Sequence, residues 1–390
     1  MLKDVLCNGR LSIFLLFAWA VIPLSAQTSQ PAVALALPAK APEPTHADIL
    51  RGSYGPYRAN NDLLFYHLDL RVDPEKKFIS GTNTIRFKML RDGTRIQLEL
   101  YPTMQIDRIA MGKTTLKYER DGVTFFVDFP QTLRAGHTYS IDVHYSGSPV
   151  ETGRFGCFTF KKDTSGRPWI NTACEGTGAS VWWPNKDQWR DEPQQGMKIS
   201  VAVPNNLMDV SNGKFAGKKD LGNGYTRWEW RVHYPINNYD VALNIGNYVH
   251  FGDKFRGLPL DYYVLPEDLA KAKVQFAQVP GMMKAYYHYL GEYPFKKDGY
   301  KLIEVPYAGM EHQSAVAYGN HFKNGYLSTA TGPASASARA STSSSFTKAD
   351  MSGSATASPP PTSPTCGFTR AGRLISKAST SSTTTAMTTP

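Results

Sequence analysis

From residue 66 to residue 73 the chain reads Tyr-His-Leu-Asp-Leu-Arg-Val-Asp, apolar and polar residues in strict alternation. Successive side chains of a strand point to opposite faces, so this stretch reads as a β-strand with Tyr66, Leu68, Leu70 and Val72 toward a core. The same alternation returns at Tyr139, Ile141, Val143 and Tyr145. Further strand candidates lie at 84–87, 96–100, 123–129, 197–203, 225–234 and 241–248. Turn formers separate them, among them Arg91-Asp92-Gly93, Asp121-Gly122 and Ser146-Gly147. Many short strands with turns between them describe a mostly β fold, an antiparallel β-sandwich or saddle over residues 60–253.

The pattern changes near residue 265. Pro266-Glu267-Asp268 opens a helical stretch to Phe276, and a second helix, 282–290, follows Pro280-Gly281. A strand at 300–305 and a strand-like run, VPYAGMEHQSAVAYGN at 305–320, come next. Residues 254–327 therefore read as the start of an α+β domain. With 390 residues, 41% of them hydrophobic, the chain is long enough for two domains with cores of their own.

The two ends read differently. Lys3 and Arg10, an apolar run from Leu11 to Pro23 and a small residue at Ala26 mark residues 1–26 as a secretory signal peptide, too short for a membrane span. Export to a periplasmic or extracellular space is expected, with no membrane contact after cleavage. Residues 27–59 are assigned to an Ala/Pro-rich leader, flexible at least as far as residue 48. Of residues 329–390, 49 of 62 are Ser, Thr, Ala, Pro or Gly and six are Ile, Leu, Met or Phe. So few apolar side chains cannot offset the entropy of ordering, and residues 328–390 are expected to be disordered.

The formal charge of +10 suggests nucleic acid until it is located. The tail holds Arg339, Lys348, Arg370, Arg373 and Lys377 against Asp350, and the rest is spread without a basic cluster. A nucleic-acid partner is not supported. Cys157 and Cys174 are the two cysteines outside the signal and the tail. Sixteen intervening residues suit a bridge between neighbouring strands, and two buried thiols fit as well.

Glu311 and His312 are residue types that bind amines and metals. Adjacent strand residues face opposite ways, so the pair cannot ligate one metal, and taken alone it reads as an edge polar pair. Tyr318 and His321 read as structural. The wider set of landmarks says more. Gly309-Met310-Glu311-His312-Gln313, Tyr293-Pro294-Phe295, Thr172-Ala173-Cys174-Glu175-Gly176 and Trp183-Pro184-Asn185-Lys186-Asp187 with Asp191-Glu192-Pro193 stand in order. Across residues 60–327 the chain resembles the aminopeptidase N family of zinc metallopeptidases. The first stretch is similar to the family's Gly-Ala-Met-Glu-Asn exopeptidase motif, the third to its Gln-Cys-Glu-Ala stretch and the last to its Pro-Cys-x-Asp-x-Pro segment.

The resemblance implies a β-domain packed on a thermolysin-like catalytic domain that removes N-terminal residues from peptides. Glu311, on an edge strand, would pair with the free α-ammonium of the substrate, and Glu175 would be the second anchor. The backbone at Gly309 and Met310 would pair with the peptide as an added strand. His312 stands where the family has Asn, a departure that bears on substrate selectivity.

The resemblance also implies zinc, held by a helical His-Glu-x-x-His and a distal Glu. None of the nine histidines is followed by Glu. No zinc is expected to bind, and no catalytic or metal residue is assigned. Read one base out of register, however, Phe346 to Gly353 can encode His-Glu-Ser-Gly-His-Glu-Trp, and Phe368 to Gly372 can encode His-Glu-Gly-Trp. Eighteen residues, 352–369, separate the second histidine slot at Met351 from the glutamate slot at Arg370. That is the spacing of the third zinc ligand in the family.

The chain thus reads as the N-terminal half of a secreted aminopeptidase with a frameshifted tail, catalytically inactive. Its apolar faces at 282–290 and 303–305 would be left partly uncovered. A Ser/Thr/Pro-rich stalk is the bland reading of the tail. For the whole, the competing readings are a non-catalytic module for peptide N-termini and a purely structural β-sandwich. The coding DNA across residues 327–370 should spell both motif blocks in the neighbouring register, and sequencing that finds neither dismisses the frameshift.

Overall fold

A computed structural model describes residues 43–323, and every element below lies in the unit that begins at Pro44. The signal peptide, the leader up to residue 42 and the tail assigned to 328–390 lie outside the described residues.

The alternation at 66–73 sits in the strand Asn61–Asp73, where Tyr66, Leu68, Leu70 and Val72 are each no more than 2% exposed and the residues between them are half-buried. A register irregularity between Leu63 and Phe65 resets the pairing with Phe78–Met89. Such a bulge matters because a slip of one residue carries every side chain to the wrong face. The strand belongs to an eight-stranded sheet in the order Lys214–Asp220, Tyr225–Val232, Met197–Pro204, Asn61–Asp73, Phe78–Met89, Thr138–Gly147, Met104–Met111, Thr114–Thr115. One pairing departs from the antiparallel expectation. Asn61–Asp73 runs parallel to Met197–Pro204, with Tyr66 opposite Met197. Parallel neighbours require a long crossover, and here residues 74–196 supply it.

Two smaller sheets complete the β-rich part. Gly93–Glu99, Thr124–Leu133 and Lys117–Asp121 form one, and Met208–Ser211, Leu243–Gly246, Pro168–Ala173 and Cys157–Lys162 form the other. Their inner faces meet the large sheet around Trp182, Trp183 and Trp230, with Tyr66 set edge-on to Trp183 at 5.0 Å. Cys157 and Cys174 are bonded, Sγ to Sγ at 2.07 Å, which decides between the two cysteine readings.

The last sheet is mixed: Val249–Phe255, Leu258–Val264, Tyr300–Glu304 and Val316–Tyr318. Helices Leu269–Phe276 and Val279–Tyr289 pack beside it through Ala272, Phe276, Val279, Met282 and Met283. The second helix starts three residues earlier than expected. Pro280 lies in its first turn, where a missing N–H costs nothing. Ile303 and Val305, expected to be partly uncovered, are at most 1% exposed, whereas Tyr289 and Leu290 at the helix end are 70% and 55% exposed. Among the described residues no helix is long and apolar enough to cross a membrane.

The described end of the leader is helical. Thr45 caps His46–Gly52 in a reciprocal capping box with Asp48. The turn Pro56–Ala59 then buries Arg58 completely, its guanidinium 2.7 Å from Glu99 and donating to the carbonyls of Arg51 and Ser53. Burial holds the Glu99 carboxyl above its ordinary range even beside that cation. Arg58→Ala, which strands Glu99 in the core, should cost about 3–5 kcal/mol in urea denaturation.

Candidate functional site

Residues 305–315 of the strand-like run form a crossover, and a strand follows only at Val316–Tyr318. Tyr300–Glu304 enters the crossover, and Val316–Tyr318 returns parallel, Glu304 opposite Tyr318. Between them an isolated bridge stitches the chain, where Met310 N donates to the Ala317 carbonyl at 3.2 Å and Ala317 N to the Met310 carbonyl at 2.9 Å. The closure is tight. Gly309 has φ +99°, and a Cβ there would stand 2.6 Å from the Ala317 oxygen, while a Cβ at Gly319 would overlap the Tyr307 carbonyl. Only glycine meets both demands. Glu311 follows this single bridge and is not on an edge strand, because so tight a loop leaves no run of paired residues.

Met310 is fully buried in a small apolar cluster with Ala173, Val305 and Ala317. Tyr307 adds a hydrogen bond from its hydroxyl to the Thr172 carbonyl at 3.2 Å. The loop is thereby seated on the end of Pro168–Ala173, the strand that leads directly into Cys174 and Glu175. The disulfide and a turn closed by Gly178 N on the Cys174 carbonyl, at 2.9 Å, fix the position of Glu175, which is exposed. On its other side the loop is bolted down by Asn212, whose side chain donates to the Gln313 carbonyl at 2.7 Å, and by Gly213 N on Ser314 Oγ at 2.8 Å. His312, grouped with the substrate-binding residues by resemblance, is fully buried, its carbonyl accepting from Ala315 N. Tyr318 is structural as expected, edge-on to Phe276 at 5.0 Å.

A third segment joins the two glutamates. The turn Asn238–Asp240 carries Tyr239, whose hydroxyl donates to Glu311 Oε1 at 3.4 Å. Burial, reinforced by Asp240, Glu311 and Glu175, pushes that hydroxyl far above its ordinary titration range. Asp240, 1% exposed, is held well above the carboxylate range by burial, then by Glu311 and Glu192, with Glu175 adding to the effect. Burial pushes Glu192 up to about 7, and the Asn237 amide reaches its Oε1 at 3.5 Å. Above the turn, Trp189 stands 59% exposed with its ring 5.6 Å from that of Tyr239.

Glu311 and Glu175 are 136 residues apart in sequence, yet both act on Tyr239 and Asp240. Sequence reasoning missed Tyr239, Asp240 and Trp189, and quoted Glu192 without giving it a role. Asn237-Asn238-Tyr239-Asp240, a polar run between two strands, was the available signal.

Residues 63–239 match the Peptidase M1 N-terminal domain. This stretch is thus similar to the N-terminal domain of M1 peptidases. The fold agrees with solved structures. An M1 zinc metallopeptidase from Deinococcus radiodurans is 17% identical at a TM-score of 0.56, with 67% of this chain and 60% of that one covered. A mutant form from the same organism bound to a Tyr-Ser-Ala substrate gives the same identity and score, with 67% and 61% covered. A mutant two-domain M1 zinc metallopeptidase bound to L-arginine scores 0.55 at 17% identity, with 67% and 60% covered. The chain thus spans about 60% of the length of these structures. No curated protein matches it in sequence.

The M1 family is one of zinc metallopeptidases. Among the described residues no group of three or more His, Cys, Asp or Glu is placed to hold a metal ion. The acids around Tyr239 are not arranged as a zinc site. What the structure holds there is a cluster of carboxylates beside an exposed indole. The cluster depends on the loop closure, so Gly309→Ala should destabilise the protein by about 1–3 kcal/mol in urea denaturation.

Proposed function

We propose that this chain carries the part of an exported M1 aminopeptidase that grips the amino terminus of a peptide. Glu311 and Glu175 would hold the α-ammonium, Tyr239 would orient Glu311, and the backbone at Gly309 and Met310 would receive the first peptide groups. The observation that carries this reading is the convergence of two distant glutamates on Tyr239 and Asp240. Glu311 is 2% exposed, so an ammonium reaching it leaves water, and their hydrogen bond is charge-assisted in a low dielectric. Asp240 matters as well, because burial and the nearby Glu311 both disfavour its charged form.

Peptide hydrolysis belongs to the complete enzyme in this proposal, and the chain as written lacks turnover. The out-of-register motif blocks at 346–353 and 368–372 support the view that zinc-binding sequence was displaced rather than never present. The signal-like residues 1–26 support export.

A short peptide with a free amino terminus should bind at least tenfold more tightly than its N-acetylated form in calorimetry, and Glu311→Gln should abolish the difference. Equal affinity for the two peptides dismisses the amine site. The pH dependence carries a sign. As pH rises through about 7, Glu192 loses its proton and adds negative charge near the ammonium, which strengthens binding. Above about 8 the peptide's own amine deprotonates and binding weakens. Affinity should therefore peak between about 7 and 8, and Glu192→Gln should remove the acid limb.

A further inference from the structure

A cleft of about 660 Å³ lies where the edge strand Lys214–Asp220 and its neighbour Tyr225–Val232 meet the hairpin of Val249–Phe255 and Leu258–Val264. The size suits a small molecule. None of its lining residues belongs to the cluster around Tyr239. Its chemistry is also opposite in sign. Lys214, Lys218, Lys296, Lys297 and Lys301 line it, with Asp261 and Asp298 the two acids.

Both acids are already engaged. Asp261 accepts from His250 at 2.8 Å, and Asp298 accepts from the backbone and ring of His233 at 3.0 and 2.7 Å. Among the lysines, Lys296 pairs with Glu292. Among the described residues Lys214, Lys218, Lys297 and Lys301 form no ion pair. Lys301 is 2% exposed, donates to the Gly213 carbonyl and lies over the Trp230 ring, 5.3 Å from its centre. Burial pulls its ammonium down to about 8 although Asp298 and Asp261 act in the opposite direction, and a further anion would add to their effect.

The other wall is aromatic. Phe215 is 45% exposed, and its ring lies 5.9 Å from Trp228 and 5.2 Å from Trp230. Lys218 covers Trp228 at 5.2 Å. A large apolar ring is left partly in water at a sheet edge, backed by two indoles and flanked by unpaired ammonium groups. Aromatic faces favour a flat partner, and unpaired cations favour an anion.

We propose that this cleft is a ligand site for a small anion with a planar ring, the ring lodged against Phe215 and Trp228 and the acid group held by the unpaired lysines. The proposal is independent of the amine site, and the two fail separately.

The test is calorimetric titration of the full chain with 2-naphthoate. Saturable binding of one equivalent is expected, with 2-naphthamide at least tenfold weaker for want of charge and inorganic phosphate undetectable for want of a ring. Phe215→Ala and the pair Lys214→Ala/Lys218→Ala should each weaken naphthoate at least fivefold. Residues 214, 215 and 218 are exposed, so both variants should fold, as circular dichroism will verify. A saturating peptide with a free amino terminus should leave naphthoate affinity unchanged. Absence of naphthoate binding, equal affinity for naphthamide, indifference to both variants or displacement by the peptide would each overturn the assignment.

Discussion

Taking a charge out of water costs several kcal/mol unless a partner and further hydrogen bonds compensate it. This protein does so twice along one seam. Arg58 meets Glu99, and Lys186 meets Asp191, with all four side chains at most 6% exposed. The seam is wired onward. Glu99 accepts from Asp187 N at 2.8 Å, Asp187 accepts from Ser180 and Asn238, and Lys186 donates to the Asn61 carbonyl. Asn238 precedes Tyr239, so the position of the tyrosine that touches Glu311 is inherited from these ion pairs. Removing one partner strands a charge and moves the turn as well.

The segment between Trp183 and Asp191 has few strands or helices to hold it, and polar side chains do that work. Asn185 bridges Glu99 through two backbone hydrogen bonds, at 2.8 and 3.1 Å, and Asn238 bonds its side chain at 3.0 Å. A buried polar network of this kind favours one arrangement over many nearby ones. That serves a site in which several carboxylates must converge.

Much of the fold was legible because half-buried antiparallel strands announce themselves by period. The alternation at Tyr66–Val72 and Tyr139–Tyr145 appears as buried and half-buried residues in turn. Strands enclosed on both sides carry no such signal. Pro168–Ala173 is buried from Trp169 onward and went unread, as did the short Met208–Ser211. The crossover at 305–315 was read as extended because its apolar residues are consecutive, while the controlling fact, two glycines at a close approach, lies in backbone sterics. Glu311 and Glu175 were visible only through family resemblance. For Tyr239 and Asp240 the polar run 237–240 marks a turn but not its partner, since what joins them to Glu311 is proximity across some 70 residues of chain.

The parallel pairing of Asn61–Asp73 with Met197–Pro204 also sets a schedule for a ribosome-bound chain. One border of the first strand is satisfied as soon as Phe78–Met89 has emerged. The other must wait for the 123 intervening residues 74–196, roughly 6–25 s of translation. Through that interval an apolar strand presents an open hydrogen-bonding border, the kind of surface on which nascent chains join one another. A holdase that recognises extended apolar segments would find its opportunity there, before the long-range partner arrives.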